Sequence, residues 1–205
     1  MASTDAVNIH IEGRGGHAAR PHISIDSVLV GAQLVTALQS IVSRSVDPLE
    51  SAVVSICEFH AGNARNVIPQ TAALKGTVRA LTPEVRALVE KRLREVVDGV
   101  ARMTGAKIDL NFERGYPVVV NHAAQTDTAI EAAKKVAGEA NVHEMPPLMG
   151  GEDFAYMLER RPGAFIFCGN GDSAGLHHPA YNFNDEAIVY GTSYWIKLVE
   201  NSLAA

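Results

Sequence analysis

The sequence has few cysteines, no long apolar run and no excess of basic charge over its 205 residues. Each shortage excludes something. Cys57 and Cys168 lie far apart within apolar stretches, without the spacing of a redox or zinc motif, so buried free thiols are expected. No segment approaches the roughly 20 apolar residues of a membrane-spanning helix. Met1-Ala2-Ser3-Thr4-Asp5 has neither the basic start nor the apolar stretch of a signal peptide, so no membrane association and a cytoplasmic location are expected. With 18 Lys+Arg against 23 Asp+Glu, the electrostatic footprint of nucleic-acid binding is missing, and a small or peptide-sized ligand is the better expectation. A His-Glu-x-x-His helix, a Gly-x-Ser-x-Gly elbow and a phosphate loop are absent too.

What is present is strong periodicity. From Ala6 to Glu12 the residues Val7, Ile9 and Ile11 alternate with Asn8, His10 and Glu12, the period of a half-buried strand. A glycine-rich loop follows, and then residues 24–43 repeat Val28, Leu29, Ala32, Leu34, Val35, Leu38, Ile41 and Val42 at helical spacing. Ala52 to Phe59 and Thr71 to Ala80 read as strands. Thr82-Pro83 resembles an N-cap with proline at the first helical position, and Val85, Leu88, Val89, Leu93, Val96, Val97, Val100 and Met103 form one stripe ending near Gly105. Lys107 to Glu113 alternates again. The order strand, helix, strand, strand, helix, strand predicts a ferredoxin-like, four-stranded antiparallel sheet with two helices on one face.

The pattern changes near Tyr116-Pro117, which places a boundary at about residue 115. Beyond it the spacing predicts helices over 126–140 and from Asp185 to Ser202, a short helix from Glu152, and strands at Ala164–Cys168 and, more weakly, Val118–Val120. So little strand makes a poor sheet by itself.

Few residues invite chemistry. His17, in Gly13-Arg14-Gly15-Gly16-His17, is either a loop histidine facing water or an exposed imidazole able to donate to a ligand. His177 and His178 precede Pro179, which favours extended backbone and would send the two rings to opposite sides. Gly150-Gly151 ahead of Glu152 and Asp153 exposes backbone N–H groups, although carboxylates suit any helix start. Asn66 reads equally well as a turn residue, and Arg79 as a solvated charge beside Lys75.

Taken in order, Gly13 to His22, Asn66-Val67-Ile68-Pro69, Gly76-Thr77-Val78-Arg79, Gly150-Gly151-Glu152-Asp153-Phe154 and His177-His178-Pro179 resemble the metal-dependent amidohydrolases of the aminoacylase, hippurate hydrolase, auxin-conjugate hydrolase and carboxypeptidase G group. The resemblance implies a lid and dimerisation domain over residues 1–115, and over 116–205 the C-terminal part of a zinc-peptidase-like α/β catalytic domain. It implies hydrolysis of the amide of N-acyl amino acids or similar small conjugates at a centre of two divalent metal ions, zinc or manganese, with cobalt or nickel as alternatives. His177 would be a metal ligand. His17 would reach the scissile carbonyl, often across a homodimer formed through the lid. Asn66 and Arg79 would bind substrate, and Gly150, Gly151 and Glu152 would line the pocket. The family's N-terminal catalytic half, with its other ligands and general base, has no counterpart here, so the chain reads as a C-terminal fragment expected to hydrolyse nothing alone. A non-catalytic dimerisation or small-ligand-binding module is the rival reading.

Overall fold

The computed structural model describes residues 1–203. Contacts group them into two compact units: one joins Met1–Val119 to Pro147–Ala155, and the other joins Val120–Pro146 to the described residues from Tyr156 onward.

The first unit is built on strands β1 (Asp5–Glu12), β3 (Ala52–Ala61), β5 (Thr71–Ala80) and β6 (Lys107–Arg114) in the antiparallel order β3-β5-β1-β6. Helices α1 (Ser27–Arg44) and α2 (Pro83–Thr104) join them into the expected ferredoxin-like order. Alternation decides the faces. Val7, Ile9 and Ile11 of β1 and Ala72, Leu74, Val78 and Ala80 of β5 point at the helices and are buried, while His10 and Lys75 point away. They meet Leu34, Leu38 and Ile41 of α1 and Val89, Leu93 and Val97 of α2 in one cluster. A two-residue ribbon, β2 (Gly16–His17) against β4 (Val67–Ile68), stands apart from this sheet.

Helix boundaries follow local chemistry. Asp26 caps α1 by accepting from Val28 N–H at 2.9 Å and Leu29 N–H at 3.3 Å. Thr82 caps α2 by accepting from Val85 N–H at 3.3 Å, Pro83 sits at the start, and Gly105 ends the helix at φ 73°. The buried stripe of α1 is rotated from the expected one. Val30 and Gly31 are buried, whereas Val28, Leu29 and Ala32 are exposed, because the stripe through Ser27, Val30, Leu34, Leu38 and Ile41 faces the sheet. Met103 is 66% exposed rather than part of the α2 stripe, which ends in burial at Val100.

The second unit contains α3 (Ala123–Ala137) and α5 (Glu186–Leu203), which pack on each other. Helix α4 (Ala155–Leu158) falls at the junction of the units in sequence and begins three residues later than the Glu152 start expected. The anticipated strands at residues 118–120 and 164–168 are corrected: neither segment is a strand among the described residues. Instead the amide of Asn121 brackets Phe165, donating to its carbonyl at 2.9 Å and accepting from its N–H at 2.8 Å. An apolar run predicts burial, but a strand also needs a neighbouring backbone to pair with. The cysteines differ as well, both being exposed. Cys57 lies where the register of edge strand β3 slips between Ile56 and Glu58, and Cys168 ends the run that forms no strand. No helix of the described residues is long and apolar enough to cross a membrane.

Candidate substrate-binding site

His17 is held by the β2–β4 ribbon, in which it sits opposite Val67. The Ala18 N–H donates to the Asn66 carbonyl at 3.1 Å, so the two motifs carrying His17 and Asn66 are brought together. The Ala19 N–H donates to His17 Nδ1 at 3.0 Å, and a turn closes as Arg20 N–H donates to the His17 carbonyl at 2.8 Å. A nitrogen that accepts from a backbone N–H cannot carry the proton of a neutral imidazole. The proton therefore sits on Nε2, and His17, which is exposed, presents an N–H donor outward.

Arg79 lies near the far end of β5. It is half-buried on the sheet face away from the helices, where its Nη1 donates to the Thr77 hydroxyl and to the Val78 carbonyl, the latter at 2.9 Å. Those two bonds fold the side chain along its own strand and leave other donors of the guanidinium fork for a ligand. From Gln70, at the base of the ribbon, to Arg79 an extended strand spans about 30 Å. The run from Gln70 back to Asn66 reaches at most about 14 Å. The Asn66 and Arg79 Cα atoms are therefore at least about 16 Å apart, so the two side chains do not touch each other within one chain.

Gly150, Gly151 and Glu152 lie at the Arg79 end. The Ala2 N–H donates to the carbonyls of Leu148 and Gly150, both at 3.0 Å, and the adjacent Ser3 N–H donates to the Ala80 carbonyl at 2.8 Å. A Cβ on Gly151 would lie 2.0 Å from the Thr4 methyl, which gives this glycine a packing reason. The Glu152 carbonyl accepts from Ala155 N–H at 3.3 Å, at the start of a helix only four residues long.

His177, in the second unit, departs from the extended geometry expected before His178-Pro179. It is the third residue of a turn closed by His178 N–H donating to the Gly175 carbonyl at 3.1 Å, and its φ is 65°. Left-handed backbone is uncommon for a non-glycine residue and concentrates at functional positions. His178 Nδ1 accepts from Ala180 N–H at 3.0 Å. Among the described residues no group of three or more His, Cys, Asp or Glu side chains could hold a metal ion. His177 is thus at most one ligand, and these residues do not fit a complete metal centre, which needs about three protein donors.

Two features of the first unit were not foreseen. Gln70 ties the glycine-rich loop to the ribbon, and its position directly after Asn66-Val67-Ile68-Pro69 was the available signal. Asp5 is a buried carboxylate paired with Arg86, whose Nε donates to Oδ2 at 3.0 Å, and it also accepts from Gly115 N–H at 3.2 Å. Its signal was parity, because Asp5 shares the inward face of Val7, Ile9 and Ile11.

The sequence of residues 4–201 matches the family description "Peptidase family M20/M25/M40". The chain belongs to this family. Among M20/M25/M40 relatives, it is 41% identical to a hippurate hydrolase of Campylobacter jejuni, over 97% of this chain and 52% of the relative. It is 39% identical to an N-acetyldiaminopimelate deacetylase of Enterococcus faecalis, over 98% of this chain and 54% of the relative. A crystal structure of a dinuclear metal-binding peptidase of the M20 family from Bacillus subtilis matches with a TM-score of 0.79 and 33% identity, over 100% of this chain and 51% of that one. The chain spans about half the length of the curated M20 relatives it matches.

Proposed function

We propose that this chain is the substrate-capturing half of an amidohydrolase that cleaves N-acyl amino acids, and that it works as a homodimer through the first unit, which serves as lid. The observation that carries the proposal is the outward Nε2–H of His17, held at one end of a sheet whose other end carries Arg79. Two relatives whose names specify N-acyl amino acids as substrates support the substrate class.

In this reading the labour is divided between two copies. Arg79 pairs its guanidinium fork with the carboxylate of the amino-acid moiety. His17 and Asn66 of a second copy approach that site from the other side. The His17 N–H donates to the scissile carbonyl oxygen, and the bond strengthens as that oxygen gains negative charge during attack. Gly150, Gly151 and Glu152 border the site from the Arg79 end. His177 is one ligand of a divalent-metal centre whose remaining ligands this chain does not provide, so the chain alone is expected neither to hold stoichiometric metal nor to turn over substrate.

Mixing variants tests the shared site. Hippurate binding, followed by calorimetry, is expected to weaken about tenfold or more in both His17→Gln and Arg79→Gln dimers. Remixing the two variants rebuilds one intact site per mixed dimer, and binding returns in part. A monomer by light scattering, or no recovery on mixing, would sink the two-copy reading. Elemental analysis with hippurate and N-acetyl amino acid hydrolysis assays, in added zinc or manganese, tests the rest. Turnover with bound metal would show that the chain completes its own centre.

A further inference from the structure

We infer that Gln70 is a positioning residue for His17, holding the glycine-rich loop so that the imidazole keeps its proton on Nε2. The inference builds on the proposed role of His17 as donor. Gln70 makes three bonds to two loop residues. Its carbonyl accepts from Gly13 N–H at 2.8 Å, its Oε1 accepts from Gly15 N–H at 2.9 Å, and its Nε2 donates to the Gly13 carbonyl at 2.9 Å. The pattern fixes the amide orientation, because a flipped group would set donor against donor at Gly15 and acceptor against acceptor at Gly13.

The loop so held has little slack. A Cβ on Gly13 would lie 2.2 Å from the Ile25 carbonyl oxygen, one on Gly15 2.9 Å from the Ile68 carbonyl oxygen, and one on Gly16 2.6 Å from the Ser24 hydroxyl. The chain threads between the segment before α1 and the β4 segment, with Gln70 pinning its entry. His17 follows directly, and its Nδ1 meets the Ala19 N–H only while the chain turns back after residue 17. Releasing the entry leaves the turn held by the β2–β4 pairing and the Ala18–Asn66 bond, and gives it more freedom to open. Nδ1 then loses its donor, and the proton is free to move from Nε2 to Nδ1. Gln70 is exposed and belongs to no apolar cluster, so this polar clamp is the contribution its side chain makes to the fold.

The test is spectroscopic and uses the chain as it is, with no need of turnover. Long-range 15N–1H correlation of the imidazole nitrogens at a pH above about 8, where histidine is neutral, reports the tautomer of each ring. The His17 signal is assigned by its loss in His17→Gln. Wild type is expected to show His17 as the Nε2–H tautomer. In Gln70→Ala the Nδ1–H share is expected to rise about fivefold, the ratio that one ordinary hydrogen bond sustains, while the signals of His10 and His60 on the open sheet face stay put. Gln39→Ala, which removes only a bond within α1, is expected to leave His17 unchanged. If Gln70→Ala does not fold, Gln70→Glu, which keeps the acceptor for Gly15 N–H, is expected to give an intermediate share. An unchanged tautomer in whichever variant folds, or a mixture already in wild type, overturns the inference. The donor role fails separately, through undiminished hippurate binding by His17→Gln.

Discussion

The two units carry similar apolar patterning and reach different ends. In the first, both helices lay their stripes on one sheet face, and a single cluster runs from Val7 through Leu34 and Leu74 to Leu93 and Val100. In the second, the corresponding cluster is Ala129, Ala132 and Tyr194, while Ile188, Trp195, Ile196 and Val199 of α5 stay exposed. An apolar face needs a second layer to bury it, and among the described residues only the first unit supplies both layers from its own elements. Periodicity announces that a face is apolar but not what will cover it.

The comparison breaks most visibly through the buried ion pair. Asp5→Ala leaves Arg86 without its carboxylate in a place where the Asp5 side chain is fully buried and that of Arg86 is 12% exposed. It is expected to cost about 3 to 5 kcal/mol in urea unfolding followed by far-UV circular dichroism. Leu34→Ala, at 0% exposure in the same core, is expected to cost about 3 kcal/mol by the same measurement. Both changes fall in the first unit. The chain's one tryptophan, Trp195, lies in the second. Its fluorescence transition is expected to precede the dichroism transition in wild type and to move little in either variant. Coincident transitions would show that the units unfold as one body.

A smaller effect depends on pH. Burial raises the Glu90 carboxyl, but hydrogen bonds and charge from Arg94 and Arg114 outweigh it and hold the group below its ordinary value of 4.5. A lowered value in the folded state means that Glu90 stabilises the first unit above that ordinary value. The contribution disappears as pH falls through the lowered one. Glu90→Gln is expected to cost about 0.5 kcal/mol at neutral pH, in the range of screened pairs, and nothing in strong acid, read as the difference in Tm between the two proteins across that range. Smallest of all, Ile196→Ser on the exposed face of α5 is expected to change stability by less than about 0.5 kcal/mol. A larger loss in the isolated chain would mean that this face is covered, for instance by a second copy.

Strict alternation made β5 legible to the residue, and the Thr82-Pro83 start and Gly105 stop made α2 legible because caps act within a few residues of where they stand. The rotated stripe of α1 was harder. Val28, Leu29 and Val30 are consecutive, and only the position of the sheet tells which of them is inside. The run at 164–168 forms no strand among the described residues, because pairing depends on the backbone beside a run as well as on the run itself. The candidate site divides the same way. The residue types at His17, Asn66, Arg79 and His177 could be read from motifs. That Nδ1 of His17 is occupied, that Gln70 clamps the loop, and that His177 sits at positive φ could not.

By itself the sequence determined what short-range forces decide: where strands alternate, where helices begin and stop, and which loops are rich enough in glycine to pass close to other backbone. Tertiary structure alone decided what depends on distance. It brought the His17 loop beside Asn66 through the β2–β4 ribbon, a pairing that nothing local to either segment specifies. It also buried Asp5 beside Arg86, residues far apart in the chain that meet only once α2 has packed on the sheet.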